Sequence, residues 1–174
     1  MTKIDKTKSQ LEKLFRRKDG QESTELPKEL RILSLIIYAG NYKKAAEIIE
    51  NESPDLFIQS LHLWGQSIEL GLKAFILSKN NEPKEVHDLV KLTRKAEELG
   101  LSLTQLEISS VVLLNHYFFE DLATQTKYKT RYPTKSEEHL GGPVPPNEAL
   151  EGIFNSLISQ SNSSCENIDL RMYL

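Results

Sequence analysis

The sequence predicts an all-α protein: an up-and-down helical bundle built round two long antiparallel helices, with an extra N-terminal helical hairpin and a C-terminal helix. Three observations lead there. Apolar residues recur at three- and four-residue spacing along most of the chain. Residues that start and stop helices, such as Ser53-Pro54, Asp88 and Gly100, stand between those runs. No segment alternates apolar and polar with period two, which counts against a sheet.

The elements follow in order. Residues 9–18 hold Leu11, Leu14 and Phe15 among charges, a short amphipathic piece in a charged, mobile segment expected over 1–26. Pro27 opens a helix to Tyr38, and Ala39-Gly40-Asn41 reads as a turn into a second helix over 43–50. Ser53 as N-cap and Pro54 at the first helical position then start a long helix to about Ser78. A loop over 79–83 leads to His87-Asp88, with Asp88 as the next N-cap. Leu89, Leu92, Ala96 and Leu99 keep helical spacing until Gly100 stops them. A second long helix is expected over 103–124 and an irregular stretch over 125–147. The last helix carries Leu150, Ile153, Phe154, Leu157 and Ile158, and 161–174 reads as a flexible tail. The ordered part is thus one domain over 27–160, with its core at 54–135.

Composition narrows the class. The 174 residues hold 22 Lys+Arg against 25 Asp+Glu, a net charge of −3, with 39% hydrophobic and 27% charged residues. These are globular values, and they lack the basic surplus of a broad nucleic-acid coat. The single Cys165 excludes an intramolecular disulfide framework and suits a reducing compartment. The charged N-terminus is no signal peptide, and Gln59, His62, Gln66, Glu69 and Lys73 interrupt the most apolar window, 56–77. A soluble cytoplasmic domain is expected.

Four groups could carry chemistry. Asp55, Gln59, His62, Gln66, Glu69 and Lys73 are spaced 4, 3, 4, 3, 4 and share one arc of the first long helix, about 80° wide. That arc is either a solvated face, with Glu69 and Lys73 as an i, i+4 pair, or the mouth of a cleft with His62 titrating in it. Asn115 interrupts an apolar stripe of the second long helix and needs a partner there. Over 126–135, Lys127, Lys129, Arg131 and Lys135 alternate with Tyr128 and Tyr132, cations for phosphate and rings for base stacking, or else a solvated loop. His139, eight residues past Arg131, could share a phosphodiester with it, the Arg stabilising charge and the His moving a proton. No paired spacing of metal ligands, phosphate-binding glycine loop or nucleophile elbow occurs, so no metal or cofactor is expected. The hairpin over 30–50 has a helix-turn-helix outline. Lys43 and Lys44, followed by Glu47 and Glu50, give it little to hold DNA with.

Three pieces, taken together, resemble the HEPN superfamily (higher eukaryotes and prokaryotes nucleotide-binding). They are Ser60-Leu61-His62-Leu63-Trp64-Gly65-Gln66-Ser67-Ile68-Glu69-Leu70-Gly71-Leu72-Lys73-Ala74, then His87-Asp88-Leu89, then Tyr128-Lys129-Thr130-Arg131-Tyr132-Pro133. The resemblance spans about 56–133. It implies an all-α bundle, commonly a homodimer with a cleft between protomers. It also implies one of several roles: a metal-independent ribonuclease of toxin–antitoxin or phage-defence systems, a non-catalytic partner of a nucleotidyltransferase, or a nucleotide binder. Nuclease members carry an Arg, four to six residues, then a His, a role that would fall here to Arg131 and His139. Seven residues separate these two.

Overall fold

The computed structural model describes residues 28–118 and 143–162. The expected piece at 9–18, the continuation of the second long helix over 119–124 and residues 163–174 lie outside them. The described residues form five α-helices: α1 (Lys28–Glu52), α2 (Phe57–Ser78), α3 (Leu89–Glu98), α4 (Gln105–Phe118) and α5 (Asn147–Asn162), with a 3₁₀ turn at Pro54–Leu56. No strand occurs among them, so the all-α class stands.

The N-terminal hairpin does not exist in the expected place. Helix α1 runs unbroken through Ala39-Gly40-Asn41. The reason is its stripe Ile32, Ile36, Ala39, Lys43, Ala46 and Glu50, which keeps 4, 3, 4, 3, 4 spacing straight across the supposed turn. Ile32, Ile36, Ala39 and Ala46 on that stripe are buried. A glycine inside a helix costs about 1 kcal/mol relative to alanine, less than this burial returns. The real turn comes at Ser53-Pro54, where the chain reverses into α2.

Helices α1 and α2 are antiparallel along their length. Glu50 meets Ser60 and Trp64, Ser67 Oγ donates to the Ala39 carbonyl at 2.8 Å, and Lys28 Nζ donates to Asn80 Oδ1 at 2.6 Å. At that far end Arg31 grips Glu82 with both guanidinium nitrogens, at 3.0 and 2.8 Å. The Arg31 bond holds the Glu82 carboxyl below its ordinary range.

Helix α2 is the centre of the fold, packed by all four other helices. Trp64, Ile68, Leu72, Phe75, Ile76 and Leu77 on it are buried with Leu89, Leu114, Leu150, Ile153 and Leu157 of its neighbours. A lone surface helix buries one stripe; this one is covered on several sides, as its wide apolar surface foretold. Helix α4 is not covered so well. Leu106 and Val112 are exposed and Ile108 is half-buried, whereas Leu114 and Asn115 further along it are buried.

Local signals place most helix ends. Asp88 caps α3, its Oδ1 accepting from the Lys91 amide at 3.1 Å, and Gly100 takes φ 95° to end the turn after it. Ser53 makes no side-chain cap, although the helix start is where expected. Helix α4 starts at a capping box: Glu107 Oε2 accepts from the Thr104 amide at 2.7 Å, and Thr104 Oγ1 accepts from the Glu107 amide at 3.3 Å. Helix α5 extends to Asn162, with Ser161 buried and its hydroxyl donating to the Leu157 carbonyl at 2.6 Å, two residues into the stretch expected as tail.

Helices α2 and α4 come close together at Gly65. A Cβ there would lie 2.3 Å from Phe118 Cδ2, 2.4 Å from its Cγ and 2.9 Å from its Cβ. The whole Phe118 side chain, fully buried, would have to move. Gly65→Ala is therefore expected to cost about 2 kcal/mol in urea denaturation, despite alanine's better helix propensity. A double variant with Phe118→Leu should recover part of that loss. Simple additivity of the two costs would refute the contact as the cause.

Candidate functional site

The polar arc of α2 begins in water and ends inside the protein. Asp55 and Gln59 are exposed, His62 and Gln66 are half-buried, and the Glu69 side chain is only 3% accessible. Neither expected reading of the arc fits its whole length, because α2 passes from the surface into the bundle as it runs.

Glu69 anchors a three-residue cluster. Its Oε1 accepts from Lys73 Nζ at 2.7 Å, one helical turn on. His87 Nδ1, from the loop before α3, lies 3.0 Å from Oε2 and 3.1 Å from Oε1. A carboxylate can only accept, so Nδ1 serves as the donor in this contact, which aims the imidazole. The Lys73 side chain is 16% accessible and that of His87 43%, so the carboxylate lies deepest. Burial of a charge this deep is tolerated because two donors face it. Chemically the cluster is an oriented histidine on a neutralised acid. The sequence showed the Glu69–Lys73 pair through its i, i+4 spacing. His87 has no such signal, being 18 residues from Glu69.

Asn115 braces two helices. Its Oδ1 accepts from the Leu89 amide at 2.8 Å, so it satisfies an otherwise unpaired donor at the start of α3. His62 lies elsewhere, its ring 5.2 Å from that of Phe118 at the end of α4. The inner residues of the arc and Asn115 therefore divide among different contacts. Glu69 and Lys73 belong to the His87 cluster, Asn115 to the α3–α4 contact, and His62 to the α2–α4 contact near Gln66.

Lys127, Tyr128, Lys129, Arg131, Tyr132, Lys135 and His139 lie outside the described residues. The two residues flanking that segment do not. Helix α4 ends its described course at Phe118, beside His62 and Gly65. The chain resumes at Pro143, whose carbonyl accepts from the Tyr117 hydroxyl at 3.2 Å. Burial raises the Tyr117 phenol above its ordinary value, which keeps it a donor at neutral pH. The flanks of the basic segment are thus held together on one side of α2.

Beyond Pro143 the chain crosses the start of α2. Val144 and Pro145, with Phe57 and Leu61, line a pocket of about 270 Å³ over Glu50. Glu50 is half-buried and fully engaged. Ser60 Oγ and Trp64 Nε1 donate to its Oε1 at 2.5 and 2.8 Å, and Asn147 Nδ2 donates to its Oε2 at 3.0 Å. Glu50 is a structural node joining α1, α2 and α5. Among the described residues no group of three or more His, Cys, Asp or Glu could hold a metal ion, and no helix is long and apolar enough to cross a membrane.

A family model for the HEPN domain matches residues 39–153, more than half of the chain. No curated protein and no solved structure gives a significant match.

Proposed function

The chain belongs to the HEPN domain family, and from that premise we propose that it is a HEPN module that binds RNA or nucleotide through the segment 126–135. One observation carries this reading: the Tyr117–Pro143 hydrogen bond brings together the flanks of the segment on which Lys127, Lys129, Arg131, Lys135, Tyr128 and Tyr132 are concentrated. A chain of net charge −3 that gathers four cations and two aromatic rings within nine residues offers a local anion site. Cations meet phosphates and tyrosine faces stack bases. The exposed Leu106 on α4 suits a second protomer, which would give the homodimer common in the family.

In this reading RNA cleavage is metal-independent. Arg131 neutralises charge on the phosphodiester and His139 transfers the proton. Such a ribonuclease would suit a toxin–antitoxin or phage-defence pair in the cytoplasm. The runner-up is a non-catalytic module that partners a nucleotidyltransferase or another protein. The seven residues between Arg131 and His139, where the family's nuclease pattern has four to six, favour it.

The test is RNA binding and cleavage in the presence of chelator. Lys127→Ala should weaken single-strand binding and reduce the salt slope of log K by about 0.7. If the protein is catalytic, Arg131→Ala and His139→Ala each lower the cleavage rate by about 100-fold or more. Binding without cleavage selects the non-catalytic reading. Binding indifferent to Lys127 and Arg131 removes the segment from the site.

A further inference from the structure

A concave pocket of about 300 Å³ lies between the start of α3 and the last turns of α4. Its wall begins at Asp88, the residue after His87 of the Glu69 cluster, but it uses none of the cluster's own three residues. The donor groups around it are arranged unevenly, and the unevenness decides what fits.

Asn115 forms the floor. Only 5% of it is accessible, and its Oδ1 is committed to the Leu89 amide. That bond fixes the amide's orientation, since a backbone N–H can only face the carbonyl oxygen. Nδ2 must then point the other way. It has no partner among the described residues, yet it is not sealed off from solvent as the orphaned buried hydroxyls Thr93 Oγ1 and Ser110 Oγ are. Its opening is the pocket that Asn115 lines.

The walls add charge. Asp88 is the one acid, and Lys91 neutralises it: Nζ lies 3.0 Å from Oδ2, while Oδ1 is occupied as the cap of α3. Arg94, one turn further along α3, has no ion-pair partner among the described residues. Among the described residues the pocket thus holds one cation without an ion-pair partner, the exposed Arg94 with its forked donor surface, in the same lining as the Asn115 amide and the positive end of a helix. The His116 ring stands at its edge, and Val90 and Val112 supply apolar sides. The volume is at the low end for small-ligand sites, which suits one phosphorylated unit.

We propose that the α3–α4 pocket is a phosphate-recognition site that holds one phosphate of a nucleotide, free or within an RNA strand, between Arg94 and Asn115 Nδ2. The choice of phosphate over other anions rests on the RNA or nucleotide reading above. The lining residues named above all lie outside the segment 126–135. Its ligand is gripped by Arg94 and sensed by Asn115, whose amide links the site to the cap of α3. An apolar sugar or base edge would then lie against the valines.

Nitrogen-15 NMR titration of the full chain tests this with four probes: inorganic phosphate, adenosine monophosphate, a short oligouridylate, and acetate as control. Saturable shifts are expected at the Asn115 side-chain amide and the Leu89 backbone amide with the phosphate probes, and not with acetate. The mononucleotide and the oligonucleotide separate a free ligand from a strand. Arg94→Ala should weaken binding by about tenfold, the loss of one charge-assisted hydrogen bond. Lys95→Ala removes the same charge from the next residue, which pairs with Glu98, and should change affinity less than about twofold. Asn115→Asp keeps the oxygen for Leu89 and turns the pocket-facing donor into an acceptor, so it should abolish binding. If it fails to fold, the contrast between Arg94 and Lys95 decides alone. Equal losses in those two variants, or no saturable shift at Asn115 with any phosphate probe, overturn the proposal. RNA binding lost in Arg131→Ala but intact in Arg94→Ala, with no Arg94-dependent binding of phosphate or mononucleotide, defeats the pocket and leaves the proposed function standing. Mononucleotide binding that needs Arg94, without any RNA binding, does the reverse.

Discussion

Trp64→Ala is expected to lower stability by about 4 kcal/mol, the largest loss of any single truncation in the described bundle. Trp64 is completely buried at the centre of α2, so its removal leaves a cavity that four packed helices cannot collapse into. It also removes one of the three donors on Glu50, leaving Ser60 and Asn147 to hold that carboxylate. Above the ring, Lys43 Nζ sits 5.7 Å from its centroid and 5.8 Å from that of Phe154, so the same deletion strips a cation of one aromatic face. Trp64→Phe keeps most of the packing and loses mainly the Nε1 bond. Its expected cost is about 1–2 kcal/mol. Urea denaturation of the two variants checks both figures. A loss below about 2 kcal/mol for the alanine variant would mean that α1, α2 and α5 are not tied through this residue.

Lys73→Met is expected to cost about 3 kcal/mol, and Glu69→Gln only about 1 kcal/mol. The asymmetry comes from depth. Methionine at 73 leaves the Glu69 carboxylate, 3% accessible, with His87 as its remaining facing donor. Glutamine at 69 keeps an acceptor for Lys73, and the ammonium, at 16% accessibility, can lean outward on its flexible stem. For a chain of this length about 3 kcal/mol is about 6–12 °C in Tm. The double variant Glu69→Leu, Lys73→Met removes both charges and should be more stable than Lys73→Met alone. Equal losses in Lys73→Met and Glu69→Gln would show that the carboxylate is solvated in solution, and the cluster would lose its standing as an oriented site.

How much of this was legible in the sequence differs from element to element. Asp88 and Gly100 announced the ends of α3, because a cap and a positive φ are local chemistry. Ser53-Pro54 announced the start of the central helix, even though the serine side chain makes no cap. The break expected at Ala39-Gly40-Asn41 fails for a reason also present in the sequence: the stripe from Ile32 to Glu50 keeps its period across the glycine. Burial of a continuous face outweighs one glycine. The capping box Thr104–Glu107 was equally readable, and it corrects the helix start from 103 to 105.

The candidate site divides the same way. Glu69 and Lys73 could be paired from their spacing, since neighbours on a helix face are set by 3.6 residues per turn. Asn115 could be judged to need a partner, since an amide on an apolar stripe is costly when unsatisfied. The family resemblance joined residues 66–74 to His87-Asp88-Leu89 as a set but said nothing of which atoms meet.

By itself, then, the sequence determined the all-helical class, the family, the wide apolar surface of the central helix and the local caps. All of these depend on residues close together along the chain. Only the tertiary structure decided that His87 completes the Glu69 cluster, that Asn115 serves Leu89, and that Glu50 joins three helices. It also divided the arc residues and Asn115 among different contacts and, among the described residues, left Arg94 without an ion-pair partner in the pocket that Asn115 lines. Those facts depend on which faces of separate helices come together, and that is set by packing of the whole core rather than by any local spacing.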